Sequence, residues 1–290
     1  MRCTRIAAHD RRMNLFALTF LTMVAFAANS VLNRLALIDG GMDPAAFALI
    51  RLMSGAVVLA GLVALRQGGG LSALRIRPVP ALMLATYVLG FSFAYVTLDA
   101  GVGALILFGG VQITMFAGAM LARETIPRRR WIGALIAFGG LVWLFWPGGA
   151  TRPDLTGALL MGGAALGWGV YSIRGKHQAD ALGATAANFL WASPVAIAVF
   201  LISGHWGQPM RGAFLALVSG IVTSGFGYAL WYSVLPRIPA SLAAVAQLTV
   251  PLIAMAGGAV FLGESLTLRF VVSGLLVLGG VGLSLTGSRR

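Results

Sequence analysis

The sequence predicts an all-α membrane protein of ten transmembrane helices, arranged as two inverted five-helix repeats. Three observations predict it. Long apolar runs alternate with short polar breaks, arginines favour every second break, and the chain repeats itself at an offset of about 140 residues.

The composition sets the class. Hydrophobic residues make up 59% of the 290 residues and charged residues 10%, against roughly 25% charged in a soluble domain. A water-soluble fold lacks the polar groups to cover itself at that composition, whereas lipid makes them unnecessary. The net charge of +13 does not point to nucleic acid. Such modules gather basic residues on one face of a soluble domain, and here they sit in short loops. Cys3 is the single cysteine, so an internal disulfide is excluded and no zinc site is predicted.

Spanning runs lie at about 14–38, 44–65, 81–99, 102–122 and 131–146, then at about 155–174, 184–203, 211–233, 240–262 and 268–286. Arg11 and Arg12, with Ala25-Phe26-Ala27, resemble a signal peptide and its cleavage site. The apolar run continues to Ile38, however, about 25 residues, which spans about 30 Å of hydrocarbon. A first membrane helix is the expectation.

Orientation follows from the cations. With the N-terminus in the cytoplasm, inside segments hold sixteen of them, including Arg66, Arg75, Arg77, Arg123, Arg128 to Arg130, Arg174 and Lys176. Outside segments hold three, Arg152, Arg211 and Arg269, while Arg34 and Arg51 lie within helices. The positive-inside rule then places both termini in the cytoplasm.

The repeat divides the chain into 1–146 and 147–290. Arg34 overlays Arg174, Glu124 overlays Glu264, and Gly139-Gly140 overlays Gly279-Gly280. Each half carries an odd number of helices, so the halves insert with opposite orientation, a device common in transporters.

The second-half strings Phe261-Leu-Gly-Glu-Ser265 and Ala164-Ala-Leu-Gly-Trp-Gly-Val-Tyr171 resemble segments of the EamA-type permeases of the drug/metabolite transporter superfamily. Phe26-Ala-Ala-Asn-Ser-Val-Leu-Asn-Arg34 and Ala46-Phe-Ala-Leu-Ile-Arg51 resemble its first and second helices. The first half departs from the pattern at Ala122-Arg123. Within the superfamily the chain is most similar to YddG-type exporters of aromatic amino acids. The resemblance implies export of a small metabolite by alternating access through a bacterial inner membrane. It also implies a cavity lined by helices one, three, four, six, eight and nine. A multidrug or nucleotide-precursor carrier on the same fold, and a membrane scaffold or sensor without flux, are the alternatives.

No enzyme constellation is visible: there is no His-Glu-x-x-His, no Gly-x-Ser-x-Gly and no phosphate loop. No cofactor is expected, and the partners are a small solute and membrane lipid. Asp99, Glu124 and Glu264 lie at helix ends. A proton-coupled cation carrier needs an acid at depth, so a neutral or zwitterionic solute fits better.

Site residues are sought where helices are interrupted. Gly109-Gly110 and Thr249-Val250-Pro251 are expected to break helices four and nine at matching depth, with Gln112 and Gln247 beside them. The alternative is plain helix packing. Asn29 and Asn33 share a face of helix one, Tyr87 and Tyr95 a face of helix three, and Trp168 and Tyr171 a face of helix six. Tyr228 faces inward from helix eight, while Trp231 and Tyr232 are assigned to the interfacial belt. Amides in hydrocarbon need partners. The predicted substrate-binding set is therefore Asn29, Asn33, Gln112 and Gln247 for polar groups, with Tyr87, Tyr95, Trp168, Tyr171, Tyr228 and Pro251 around them. Arg51 is expected to pair with Asp39 or Asp43, contact with a substrate carboxylate being the alternative, and Arg34 to snorkel to the interface.

Overall fold

The computed structural model describes residues 2–67, 75–121, 123, 127–146, 153–175, 178, 180–203, 205–234, 237, 246–247 and 249–285. Every regular element among them is helical: α1 (Arg2–Ile38), α2 (Pro44–Gln67), α3 (Pro78–Ala94), α4 (Ala100–Leu121), α5 (Arg128–Phe145), α6 (Leu155–Gly175) and α7 (Ala181–Ser203). Then come α8 (Met210–Val218), a π-helix (Ser219–Phe226), α9 (Gly227–Val234), α10 (Thr249–Leu262) and α11 (Leu268–Leu285). Six helices, counting α8 to α9 as one, are long and apolar enough to cross a membrane, and α3, α5, α10 and α11 are shorter apolar helices. Helices satisfy their own backbone, which hydrocarbon demands. Leucines such as Leu65, Leu159 and Leu201 are exposed on the bundle exterior, where lipid is the fitting solvent.

The sparse carboxylates are spent on helix starts. Asp43, Asp154 and Asp180 each accept the backbone N–H three residues on, from Ala46 at 3.0 Å, Gly157 at 2.7 Å and Gly183 at 3.1 Å. This is N-capping, and it satisfies an otherwise orphaned donor. Glu264 caps a different helix, accepting Ala100 N–H at the start of α4 at 2.7 Å. Glu124 lies outside the described residues.

These caps gather at the ends of the bundle. At one end Asp43 meets His205 at 3.3 Å, Asp39 meets Arg211 at 3.9 Å, and Thr97 donates to Asp154 at 3.1 Å. At the other end Arg66 meets Asp180 at 3.4 Å. Arg34 reaches the same end of the bundle as Asp99. It donates to the carbonyls of Tyr95 at 2.8 Å and Val96 at 2.9 Å, closing the C-terminus of α3, and pairs with Asp99 at 3.6 Å.

The packing pairs include α3 with α6, α1 with the α8–π–α9 unit, α4 with α6, α1 with α10, α2 with the π-helix and α3 with α7. Three further pairs are α2 with α7, α4 with α10 and α5 with α11. The α5–α11 seam is built on glycine. A Cβ on Gly140 would stand 2.8 Å from Leu276 Cβ and 3.0 Å from Ser273 O, and one on Gly280 2.6 Å from Ala137 N.

The expected break at Gly109-Gly110 is absent, because α4 runs unbroken through it. These glycines are packing residues. A Cβ on Gly110 would lie 2.7 Å from Ala165 Cβ, so α4 rests directly on α6. Pro251 is buried within the described helix α10 (Thr249–Leu262). Among the described residues an irregularity lies in the π-helix at 219–226.

Candidate functional site: a buried aromatic and polar cluster

The site begins with a charge. Arg51 is the eighth residue of α2, which at 1.5 Å per residue puts it roughly 11 Å below the start of the helix. It is fully buried. Its Nε donates to Ser224 Oγ at 2.9 Å and its Nη2 to Tyr87 Oη at 3.1 Å. Its guanidinium carbon lies 5.4 Å from the Tyr87 ring centroid and 5.1 Å from that of Phe91. Asp39 and Asp43 are not its partners, since both are engaged at the end of the bundle. The physical reason is reach: α2 carries Arg51 inward, away from the loop that holds both acids.

Neutral partners can hold this charge. An arginine at a membrane-helix centre costs about 2.5–3.5 kcal/mol on insertion scales. Hydrogen bonds from a charged donor return about 1.5–3 kcal/mol each, and a desolvated cation–π contact about 2. One nitrogen is left over: Nη1 is buried without a hydrogen-bond partner among the described residues.

Around Arg51 runs a belt of amides and hydroxyls. Asn29 Oδ1 accepts from Ser219 Oγ at 2.8 Å and Thr223 Oγ1 at 2.5 Å. Asn33 Nδ2 donates to Ser92 Oγ at 3.2 Å, and its Oδ1 is buried and unpaired. Tyr95 Oη donates to Ala100 O at 3.2 Å and Tyr171 Oη to Thr185 Oγ1 at 3.3 Å. The π-helix makes the belt possible. Its wider turn directs Ser219 and Thr223 to α1 and Ser224 to α2, and such segments recur at functional sites.

Beside the belt stands an aromatic wall. The Trp168 ring is stacked on Tyr171 at 5.4 Å and lies 4.9 Å from Tyr87. Tyr228 meets Trp168 edge-on at 5.4 Å and Phe26 at 5.6 Å. Such edge and offset contacts are the favoured geometries of aromatic rings. Trp231 belongs to this wall and not to an interfacial belt. It is buried, with its ring 5.9 Å from Phe26.

Seven of the predicted residues therefore share one cluster: Asn29, Asn33, Tyr87, Tyr95, Trp168, Tyr171 and Tyr228. Gln112 and Gln247 are half-buried, and their side chains make no hydrogen bond among the described residues. Pro251 is buried, but no hydrogen bond or ring contact ties it to the cluster. Ser92, Ser219, Thr223 and Ser224 were not predicted. Their signal was available: Ser219-Gly220 and Thr223-Ser224-Gly225 form a polar, small-residue stretch in an otherwise apolar helix.

Cavities open at the two ends of α3. One of about 240 Å³ is lined by Thr97, Asp99, Asp154, Glu264, Met255 and Phe270. Burial pushes the Glu264 carboxyl above its usual range, and Asp99 adds to this, against the hydrogen bond from Ala100 N–H. The other, of about 10 Å³, is lined by Arg77, Arg174, Gln178, Asn188 and Tyr232 among others. The cluster lies on the stretch of α3 between them.

Comparison with known proteins fits this arrangement. The description of the EamA-like transporter family matches residues 155–286. An uncharacterized protein of Pseudomonas aeruginosa is 45% identical over 278 residues, covering 95% of each chain. A Salmonella typhimurium protein named "Probable amino-acid metabolite efflux pump" is 26% identical, over 73% of this chain and 79% of its own. A solved crystal structure shares the fold with a TM-score of 0.66 at 21% identity, over 93% of this chain and 99% of that one. The chain is a multi-pass membrane protein and belongs to the EamA-like transporter family. Membership implies a small-molecule substrate and a membrane setting.

Proposed function

We propose that this transporter exports amino acids, aromatic or other neutral ones, across the bacterial inner membrane by alternating access. The observation that carries the reading is the enclosed cluster of Trp168, Tyr171, Tyr87 and Tyr228 beside the Asn29 and Asn33 amides. An aromatic wall suits a flat apolar side chain, and a belt of amides and hydroxyls suits the polar end of an amino acid. The name of the Salmonella relative points the same way.

The reading includes ten membrane helices in two inverted repeats, 1–146 and 147–290, with both termini cytoplasmic. Packing supports the repeat. Exchanging α1 to α5 for α6, α7, the α8–π–α9 unit, α10 and α11 turns the pair α3–α6 into α1 with that unit. It likewise turns α4–α6 into α1–α10, and α2–π into α3–α7. The glycine seam obeys the same exchange: Gly140 meets residue 277, Gly280 meets residue 137, and each is shifted by the offset read from the sequence.

The test is counterflow of radiolabelled phenylalanine into liposomes carrying the purified full chain. Saturable exchange without an imposed proton gradient is expected, and Trp168→Ala should slow it by about tenfold, the order of 1.4 kcal/mol of lost contact. Exchange of lipophilic cations or nucleotide sugars, with none of any amino acid, would replace the proposed substrate class.

A further inference from the structure

We infer that Arg51 is the anchor for a carboxylate on the transported solute, so that the carrier selects organic carboxylates over the matching amines. The inference rests on the export reading above and deepens it by naming the group that is recognised.

Charge accounting comes first. The chain has eight acidic residues. Asp39, Asp43, Asp99, Asp154, Asp180 and Glu264 are each engaged at an end of the bundle. Glu124 and the side chain of Asp10 lie outside the described residues. Every contact described for Arg51 is with an uncharged group: Ser224, Tyr87 and Phe91. Among the described residues a full positive charge thus stands at depth with no anion beside it. Intramembrane charges elsewhere pair with a counter-charge or mark a solute path, and here the missing partner is an anion from outside the chain.

Donor geometry comes second. Nη1 is buried with its protons unassigned. Tyr87 Oη accepts from Nη2, which leaves the phenol proton free to be donated. The two donors are held by one hydrogen bond, so a single planar oxyanion can take both. A guanidinium matches a carboxylate in just this way.

The surroundings come third. Gly220 brings the π-helix onto α2, so that a Cβ there would lie 2.6 Å from Arg51 O. Ser224 then fixes Nε, and the rings of Tyr87 and Phe91 fix the plane of the guanidinium. The head group is oriented on one side and left unsatisfied on the other. A purely structural arginine would be expected to have its polar atoms satisfied.

The experiment uses three probes of one skeleton: phenylalanine, 3-phenylpropionate and phenethylamine. Each is measured for thermal stabilisation of the purified protein and for competition in phenylalanine counterflow. Phenylalanine and phenylpropionate should stabilise and compete, and phenethylamine should do neither. Arg51→Lys should weaken the carboxylates at least tenfold, and Arg51→Gln should abolish the preference for them. If a variant fails to fold, the probe series on the native protein decides alone. Phenethylamine acting as well as phenylalanine would overturn the inference while leaving amino-acid export standing. Phenylpropionate stabilising the protein when no amino acid exchanges would support it and remove that reading. No stabilisation by either carboxylate, or stabilisation by inorganic phosphate alone, would also overturn it.

Discussion

α3 and the α8–π–α9 unit correspond to one another under the proposed exchange of halves, yet they meet the same cluster by different means. α3 is an ordinary α-helix and presents Tyr87, Phe91 and Ser92, with Tyr95 just past its end, large rings with one small hydroxyl. Its counterpart widens into a π-helix and presents Ser219, Thr223 and Ser224 before Tyr228. α3 supplies ring surface and the cation–π cage together with the Tyr87 and Ser92 hydroxyls, while the π-helix supplies small hydroxyls alone. An inverted repeat need not place equivalent chemistry at equivalent positions, and here the asymmetry gives the cluster one side of rings and one side of small hydroxyls.

The comparison can be broken most severely at Gly220. A Cβ there collides with the Ser54 hydroxyl and with the backbone of Arg51, and backbone cannot swing aside. Gly220→Leu should yield no monodisperse protein on size-exclusion chromatography, since overpacking a tight seam costs about 1–3 kcal/mol or more. Gly162→Ala, where nothing lies within 4 Å, should behave as the parent does. Survival of Gly220→Leu would show that the π-helix is not pressed onto α2.

A smaller effect sharpens the contrast. Ser224→Ala and Tyr87→Phe each remove one acceptor from Arg51. Each should lower stability by about 1.5–3 kcal/mol, the range for a hydrogen bond to a charged group, read as a fall in Tm. If only one of the two does so, the guanidinium is held from that side alone.

The smallest effect lies at the end of α4. The Glu264 carboxyl is raised above 4.5, first by burial, so the folded state binds its proton more tightly than the unfolded chain does. Its contribution to stability is full below 4.5 and is lost as pH rises through the raised value. The Tm difference between the native protein and Glu264→Gln should therefore shift in favour of the variant as pH climbs from 4.5 towards neutrality. A difference that does not change with pH would place the carboxyl in open solvent.

Most of the helices were legible in the sequence because hydrocarbon imposes long apolar runs, and seven cluster residues were legible because amides and phenols in such runs need partners. The partner of Arg51 was not legible. Asp39 and Asp43 are near it in sequence, but Ser224 is 173 residues away, and only the packed fold brings it close. The π-helix escaped for a related reason. No local pattern distinguishes Ser219–Phe226 from an α-helix, and the contact of Gly220 with α2 is tertiary. Gly109-Gly110 misled because glycine permits both a break and a close approach, and α6 selects the approach.

The glycine seam between α5 and α11 bears on how the chain is made. Its two sides are 140 residues apart, and at about 5–20 residues per second Gly140 waits roughly 7–28 s for Gly280 to be synthesised. During that time the α5 face stands in lipid or against whatever helix is nearby. A seam of hydrogen-bonding side chains would leave donors and acceptors unmet over that interval and invite wrong pairing. Gly140, Gly280 and Ala137 carry no side-chain donor or acceptor, and Ser273 Oγ is a single buried hydroxyl without a partner among the described residues, so the junction holds little that is harmed by delay.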